Sequence, residues 1–484
     1  MTELQVITNG GAEAALEYSA IETLEARLRG ELLRAGDPGY EEARRVWNGM
    51  IDKRPALIAR ATSVADVINS VNFARENDLL LAVRGGGHNV AGTGTVDGGL
   101  LIDLSSMKGI KVDPERRTVR AEGGVTIGEL DKETQAFGLA TPLGVVSETG
   151  IAGLTLGGGL GWLRRKYALS SDNLLSVDVV TADGRFLTAS EEENPELFWG
   201  IRGGGGNFGV VTCFEYRLHP VGPEVMFAFV FYPGARAREI LRSLNEYMAQ
   251  APDEVSPLAF LGRVPRDEMF PEEWHGEPFV GIAAMYAGEV EEGREVVRPL
   301  RELGDPITDF SSPMPYVEAQ KVLDEDYPEG GRYYWKSVNV NGLEDEAIER
   351  LIAHAQAAPS DHSTIDIWYQ GGAMSRVPAE DTAFGDRSSP ILLGVEANWE
   401  EPQDDEANVA WARNCVADMR RFSDGGMYLN FPGFLEEGQN LVRDAYGENY
   451  ERLVALKDEY DPTNLFHLNQ NVTPSASPSA TPTA

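Results

Sequence analysis

The apolar positions of this chain fall into two textures. In the first part they form brief runs, at 79–83, 100–104 and 118–121, that read as short strands. Ahead of them, Thr62-Ser63-Val64-Ala65-Asp66 has the form of a helix start, and Val64, Val67, Ile68, Val71 and Ala74 follow at helical spacing. Residues 126–137 read as a second helix. The runs 177–181 and 186–188 flank Ala182-Asp183-Gly184-Arg185, so an Asp-Gly turn closes a hairpin there. Beyond about residue 222 the runs lengthen, at 226–232, 278–286, 332–340, 364–369 and 391–399, and acidic helical segments such as 289–303 and 345–358 separate them. This pattern predicts an α+β fold whose second domain holds a largely antiparallel sheet flanked by helices. Residues 1–36 are polar and are expected to be peripheral. The closing segment 473–484 is rich in Pro, Ser, Thr and Ala and is expected to be a disordered tail.

Three glycine-rich runs interrupt the first part. Arg84-Gly85-Gly86-Gly87-His88-Asn89-Val90-Ala91-Gly92 follows the strand at 79–83. Consecutive glycines offer bare backbone N–H groups to an anion, and no Cβ blocks close approach. Arg84 adds a charge suited to phosphate. His88 is the odd member, because a phosphate cradle needs no imidazole and a nucleophilic ring nitrogen suggests chemistry on the ligand itself. A Rossmann-type loop would pass directly into a helix. Here Gly92-Thr93-Gly94-Thr95-Val96-Asp97-Gly98-Gly99 follows, a poor helix former. The second run is Gly150-Ile151-Ala152-Gly153-Leu154-Thr155-Leu156-Gly157-Gly158-Gly159-Leu160-Gly161-Trp162, in which Gly157 to Gly161 would let the backbone pass close to a flat ligand. The third, Arg202-Gly203-Gly204-Gly205-Gly206-Asn207-Phe208-Gly209-Val210-Val211, opens into a strand. Three such runs in order within one domain call for a large cofactor.

Composition narrows the remaining classes. The 484 residues carry a formal charge of −35, which rejects nucleic acid as a partner and disfavours an anionic membrane surface. A salt-rich interior and an ordinary acidic protein of a GC-rich genome both fit that balance. Cys213 and Cys415 stand far apart and make neither a disulfide framework nor a zinc site; Cys213 lies in a strand-like run and reads as a buried thiol. His219, His275, His354, His362 and His467 lack metal-ligand spacing, so no metal is expected. Neither His-Glu-x-x-His nor Gly-x-Ser-x-Gly occurs, which leaves metalloprotease and serine hydrolase readings without support. The N-terminal residues do not resemble a secretory signal and no stretch is long enough to span a membrane, so a soluble, cytoplasmic protein is expected.

The run 84–92 resembles the pyrophosphate loop of FAD-linked oxidases of the vanillyl-alcohol-oxidase and berberine-bridge-enzyme superfamily, in which the histidine is bonded to the flavin C8 methyl. Arg164-Arg165-Lys166-Tyr167-Ala168-Leu169-Ser170-Ser171-Asp172-Asn173-Leu174-Leu175 resembles the family's "GLxxDN" segment, with Ala168 in place of the usual glycine. Tyr460-Asp461-Pro462-Thr463-Asn464-Leu465-Phe466-His467-Leu468-Asn469-Gln470-Asn471-Val472 is similar to the terminal "YDPxNLFxxNQNI" pattern. Gly426-Met427-Tyr428-Leu429-Asn430-Phe431 resembles the "YxN" strand that sets a tyrosine over the flavin. The likeness spans roughly 37–472 and is sharp in the cofactor-binding portions. It is weaker in the middle, around Gly371-Gly372-Ala373-Met374 and Thr382-Ala383-Phe384.

The resemblance implies a PCMH-type FAD-binding domain at 37–222, a substrate domain at 223–425 and a C-terminal return to the first domain at 426–472. It implies FAD held by Arg84, Gly85, Gly86, Gly87, His88, Asn89, Gly92, Thr149, Gly150, Gly153, Gly157, Gly158, Gly159, Gly161, Asp172, Asn173, Gly206, Asn207, Phe208, Gly209, Val210, Val211, Asn469 and Asn471. Some relatives add a second link through a cysteine. In Gly144-Val145-Val146-Ser147-Glu148-Thr149-Gly150 that place is taken by Val146, so attachment through His88 alone is implied. The same departure sets the chain nearer the single-histidyl bacterial and archaeal relatives that oxidise amines and secondary metabolites than the carbohydrate oxidases. The implied activity is hydride removal from a small alcohol, amine or secondary metabolite, with O2 as acceptor giving H2O2. A dehydrogenase using another acceptor and a non-catalytic flavin-binding protein stay as alternatives. Tyr428 is the candidate base, provided that donors or a cation lower its phenol from about 10. Trp368, Gln370 and Glu396 lie on the strand-like runs expected to face the flavin.

Overall fold

Ser63 opens the first long helix, Val64–Glu76, by accepting a hydrogen bond from the Asp66 backbone N–H at 3.3 Å. Asp66 then accepts from the backbone N–H groups of Arg29, Gly30 and Thr62 and ties the N-terminal segment to that helix. The computed structural model describes residues 3–433 and 438–475. In it residues 3–36 are not peripheral, which corrects the expectation from their polarity. Glu3–Ile7 and Glu13–Glu17 pair, Tyr18–Glu25 is a helix, and Glu31–Leu33 joins a sheet beside Leu57–Arg60. Val6, Leu16, Ile21, Leu24 and Leu32 are buried in one cluster with Val67, Val71 and Ala74, and Leu4, Tyr18 and Leu28 pack against it half-buried. A segment with few large apolar residues looks peripheral by composition even where five of them are buried in that cluster.

The first domain is built on two larger sheets. One runs Glu31–Leu33, Leu57–Arg60, Leu100–Asp103, Leu81–Arg84, with the last three strands parallel. The other is antiparallel and runs Phe186–Ser190, Leu174–Val180, Val210–Arg217, Thr118–Glu122, Ile110–Asp113. The Asp-Gly turn closes its hairpin as the sequence predicts, and a capping box of Thr126 and Glu129 starts the helix Ile127–Gln135. Cys213 is half-buried on Val210–Arg217, and burial pushes its thiol up to about 11.

The second domain is built on one antiparallel sheet, in the order Thr308–Asp309, Glu224–Pro233, Pro278–Tyr286, Val255–Arg263, Thr364–Tyr369, Ile391–Trp399, Arg332–Val340. Its strands alternate between two faces. Ile365, Ile367, Tyr369, Leu393, Val395 and Ala397 pack under the helices Ala237–Met248, Val290–Arg301, Asp345–Gln356 and Asp405–Met419. Trp335, Trp368 and Leu392 belong to the other face, which packs against residues of the first domain. The strand Val255–Arg263 has no counterpart in the sequence prediction, because Pro257 and Gly262 break its pattern.

The chain ends on the first domain. Leu453, Leu456 and Tyr460 of the helix Tyr450–Tyr460 pack with Phe198, Trp199 and Phe208. The expected strand around Tyr428 is instead a turn, with the Phe431 N–H bonded to the Tyr428 carbonyl at 3.1 Å. It lies on the second domain's sheet, where the Asn339 N–H reaches the Gly426 carbonyl and the Gly433 N–H the Trp335 carbonyl. In the expected tail, Ser475 is held by Asp458 at 2.6 and 2.7 Å, and residues 476–484 lie outside the described residues. Among the described residues no helix is long and apolar enough to cross a membrane, and no His, Cys, Asp and Glu group forms a metal site.

The terminal Asp-Pro-x-Asn-Leu-Phe motif is held by a fully buried ion pair. Lys457 Nζ donates to Asp461 Oδ2 at 2.8 Å and to the carbonyls of Asn207 and Phe466, while Asp461 accepts from the N–H groups of Leu465 and Phe466. Removing one partner strands the other charge, which costs about 3–5 kcal/mol. Asp461→Asn is expected to lose that much in urea unfolding, and the double variant Lys457→Met, Asp461→Asn to lose less than the sum of the single changes.

Candidate active site

Between the two domains lies a cavity of about 280 Å³. The strand Leu81–Arg84 delivers the first glycine run to its wall, so that Arg84, Gly85, Gly86, Gly87, His88 and Asn89 all line it. Gly86 is forced by packing: a Cβ there would sit 2.4 Å from the Gly150 nitrogen, so the first and second runs cross backbone on backbone. Arg84 differs from its expected role. Its guanidinium grips buried Asp103 through two bonds of 2.6 and 3.2 Å and gives a third to the Arg45 carbonyl, so its charge is already neutralised.

His88 is half-buried, and its buried Nε2 has no hydrogen-bond partner. The imidazole stacks on Trp47 at 4.1 Å between centroids, and Trp47 stacks in turn on Tyr333 at 3.8 Å. Burial pushes His88 down to about 4, only weakly opposed by its own backbone, so the ring is neutral at neutral pH. A neutral imidazole nitrogen in a cavity wall is a competent nucleophile.

The other predicted cofactor residues divide in two. Thr149, Gly150, Gly153, Gly157, Gly206, Gly209, Val210, Val211 and Asn469 line the cavity. Gly92, Gly158, Gly159, Gly161, Asp172, Asn173, Asn207, Phe208 and Asn471 do not. A Cβ on Gly158 would strike Phe384, one on Gly159 would strike Ser170, and one on Gly161 the Leu143 carbonyl, so these glycines serve protein packing rather than ligand approach. Asp172 is paired with Arg387 at 2.7 and 2.9 Å, a buried link between the domains. Asn173 holds the carbonyls of Tyr167 and Leu169, and Asn207 clamps the C-terminal segment through the Gln470 carbonyl and the Val472 N–H. Phe208 is core.

The opposite wall comes from the second domain. Trp335, Asp366, Trp368 and Glu396 line it with Leu323, Tyr327 and Phe431. Trp368 and Glu396 were visible in the sequence; Gln370 is not on this wall. Asp366, Tyr327, Trp335 and Phe431 were missed, because their convergence depends on strand register and on a turn. Asp366 and Glu396 are 3% and 2% exposed. The Tyr327 hydroxyl donates to Glu396 Oε2 at 2.7 Å. Burial first, and the repulsion of neighbouring acids second, raise both carboxyls well above the usual range. They titrate as a pair, so at neutral pH the pair holds a proton that two exposed carboxylates would not.

Tyr428 reaches the cavity, but its oxygen is occupied. It accepts from the N–H groups of Gly159 and Leu160 at 3.2 and 3.1 Å and from Asn430 Nδ2 at 2.8 Å. Burial raises its phenol despite these donors. The three donors bridge the second glycine run and the C-terminal return, and each lowers the phenol, as the sequence reading of Tyr428 as a base requires, while burial acts the other way.

Residues 55–190 match the family described as FAD binding domain, and residues 427–473 match berberine and berberine-like proteins. An FAD-linked oxidoreductase of Dictyostelium discoideum is 34% identical, over 92% of this chain and 95% of its own length. The (R)-6-hydroxynicotine oxidase of Paenarthrobacter nicotinovorans is 32% identical, over 93% of this chain and 98% of its own. The crystal structure of 6-hydroxy-D-nicotine oxidase from Arthrobacter nicotinovorans aligns with a TM-score of 0.82 at 31% identity, covering 92% of this chain and 98% of that one. A chitooligosaccharide oxidase shares the fold, with a TM-score of 0.82 at 22% identity. The chain therefore belongs to the berberine-bridge-like family of FAD-linked oxidoreductases.

The residues present fit FAD. A Cβ on Gly153 would meet nothing within 4 Å, and one on Gly206 only Asn469 at 3.9 Å, so bare backbone faces the cavity where a long ligand needs it. Asn469 Oδ1 and His88 Nε2 are buried without partners on the same wall. The first run, residues 149–153, Gly205, Gly206 and Asn469 would hold the cofactor. When bound, it supplies a ring that accepts a hydride.

Tyr428→Phe is expected to keep its FAD and to slow substrate-driven flavin reduction by less than about 10-fold, below the 10²–10⁴-fold effect typical of a general base. Anaerobic stopped-flow absorbance measures both quantities.

Proposed function

We propose that this protein is an oxidase that removes a hydride from a carbon bearing an amine nitrogen or a hydroxyl on a small organic molecule, and that O2 is its electron acceptor. The observation that carries this reading is the pair of buried carboxyls, Asp366 and Glu396, facing the cavity wall that holds His88. Hydride loss from an alcohol carbon, or from an amine that arrives protonated, requires a proton to leave the attached oxygen or nitrogen, and the acceptor must lie in the cavity with a pKa near the working pH. Glu396 suits that role: it is buried, it is raised, and the Tyr327 hydroxyl fixes one oxygen and leaves the other free to accept. Asp366 keeps its pKa high by repulsion. Trp335, Trp368 and Phe431 exclude water and hold an apolar substrate body. The oxidase named among the relatives supports O2 as acceptor.

In the same reading FAD is bonded to the protein through the His88 imidazole alone. The neutral, unpartnered ring supports the link, and Val146, which lines the cavity, offers no sulfur for a second one.

Acid-precipitated protein is expected to stay yellow and to yield a flavin peptide containing His88, and His88→Ala to release its flavin on precipitation. Wild-type protein that releases all its flavin contradicts the link. The limiting rate of flavin reduction is expected to fall as pH drops through a midpoint well above the usual carboxylate range, because only the ionised carboxyl accepts a proton. Glu396→Gln is expected to lower that rate by about 10²–10⁴-fold and to remove the pH limb. Reduced enzyme that air does not reoxidise would identify a dehydrogenase instead.

A further inference from the structure

The glycine run does not by itself orient the His88 ring. A histidine turns about a broad torsion, so the residue alone does not fix the plane of its imidazole. The order comes from the segment 45–53, which belongs to none of the three glycine runs. This strap lies along the His88 loop and grips it at several places. The Trp47 N–H donates to the Gly87 carbonyl at 3.1 Å, Asn48 Nδ2 to the Val90 carbonyl at 2.7 Å, and Lys53 Nζ to the Gly92 carbonyl at 3.0 Å. The Arg45 carbonyl accepts from Arg84 at 2.8 Å. The loop is therefore fixed to one strap on both sides of His88.

The other side of the strap is bonded to the second domain. The Trp47 indole N–H donates to the Tyr327 carbonyl at 2.9 Å, the Gly330 N–H to the Trp47 carbonyl at 2.8 Å, and the Gly49 N–H to the Gly331 carbonyl at 2.8 Å. Asn48 is fully buried, and its amide spans both sides. Its Nδ2 gives a second bond to the Tyr333 carbonyl at 2.9 Å, and its Oδ1 accepts from the Tyr333 N–H at 3.3 Å. A Cβ on Gly49 would strike the Gly330 carbonyl, so strap and second domain meet backbone on backbone.

Three rings complete the join. Trp47 is sandwiched between the His88 imidazole and Tyr333, with centroids 4.1 and 3.8 Å away and planes 17° and 11° from parallel. Trp335 meets Trp47 edge-on at 5.4 Å. An indole held on one face by Tyr333 and at its N–H by Tyr327 is a fixed plate. Flat contact with that plate resists rotation of the imidazole. His88 lines the cavity, whereas Trp47 and Tyr333 stand behind it and are not among the lining residues.

We propose that Trp47 is the positioning residue for attachment of the flavin to His88, and that Tyr333 of the second domain sets Trp47, so that docking of the two domains governs how fast the link forms. The inference rests on the reading of a His88 link and adds the residues that control it. In attachment, one C–H bond of the flavin C8 methyl and the imidazole N–H bond break, and a bond forms between a ring nitrogen and the methyl carbon. The two protons and the electron pair pass to the flavin ring, from which O2 removes them as H2O2. Neither Trp47 nor Tyr333 reacts. Their part is to take away the rotational freedom of the imidazole before the bond forms, so that this entropy is not lost at the barrier.

The test reads acid-stable flavin rather than turnover. Full-length protein from riboflavin-limited cells is incubated with FAD in air, and the flavin that stays with the acid precipitate is followed over time. Total bound flavin and the melting temperature are measured on the same samples, which separates attachment from folding and from cofactor binding. Trp47→Leu is expected to bind FAD but to attach it at least about 10-fold more slowly than wild type. Trp47→Phe keeps a flat ring, loses only the N–H, and is expected to stay within about 3-fold of wild type. Tyr333→Leu, which touches neither His88 nor the cavity, is expected to slow attachment by at least about 3-fold at unchanged total flavin. A wild-type rate in Trp47→Leu, or equal losses in Trp47→Leu and Trp47→Phe, overturns the inference. A wild-type rate in Tyr333→Leu overturns the control by the second domain, and it decides the case if Trp47→Leu binds no flavin. Wild type and all variants attaching equally fast would leave the His88 link standing and remove only the inference. Wild-type protein that holds no acid-stable flavin would remove the link itself.

Discussion

The site depends on one place where two backbones touch. Gly86 and Gly150 approach so closely that a Cβ on either would lie 2.4 Å from the other's nitrogen. That contact fixes the first glycine run against the second, and with it the position of His88 two residues on. From His88 a line of direct contacts crosses into the second domain. The imidazole stacks on Trp47, the Trp47 indole donates to the Tyr327 carbonyl at 2.9 Å, and the Tyr327 hydroxyl donates to Glu396. The wall that carries His88 and the wall that carries Glu396 are thus linked by packing and by hydrogen bonds.

The polar clamps around this line are buried and are made of charges or backbone groups. Asp172 with Arg387, and Lys457 with Asp461, cancel their charges locally. Asp324 accepts from the Ser147 N–H at 2.7 Å and its hydroxyl at 2.5 Å, which pins the segment carrying Tyr327 onto the first domain. Among the described residues, Asp131, Arg164 and Arg165 are buried without an ion-pair partner, as Asp366 and Glu396 are, but Asp366 and Glu396 differ from them in lining the cavity.

Periodicity alone located most strands of the second sheet, including 332–340 and 391–399, because long buried strands announce themselves by length and β-branched content. It missed Val255–Arg263, where Pro257 and Gly262 hide a strand whose neighbours on both sides supply its pairing. The glycine runs marked the cofactor wall, but sequence does not separate a glycine that faces a ligand from one that meets a carbonyl, and Gly153 and Gly161 look alike until the fold is known. Arg84 read as a phosphate ligand because Asp103 lies 19 residues away on a neighbouring strand. Asp366 and Glu396 sit on adjacent strands whose register no local pattern encodes, so only one of them was noticed. The donors around Tyr428 were hidden for the same reason: two of the three on its oxygen come from residues about 270 positions earlier.

The central claim is that the Asp366–Glu396 pair takes a proton from the substrate. Infrared difference spectroscopy on the FAD-loaded enzyme, mixed anaerobically with a reducing substrate, observes this directly. The account predicts growth of the carbonyl stretch of a protonated carboxyl on substrate addition, and its loss in Glu396→Gln. A spectrum without any carboxyl change, or with a change that survives in the Asp366→Asn, Glu396→Gln double variant, would contradict it.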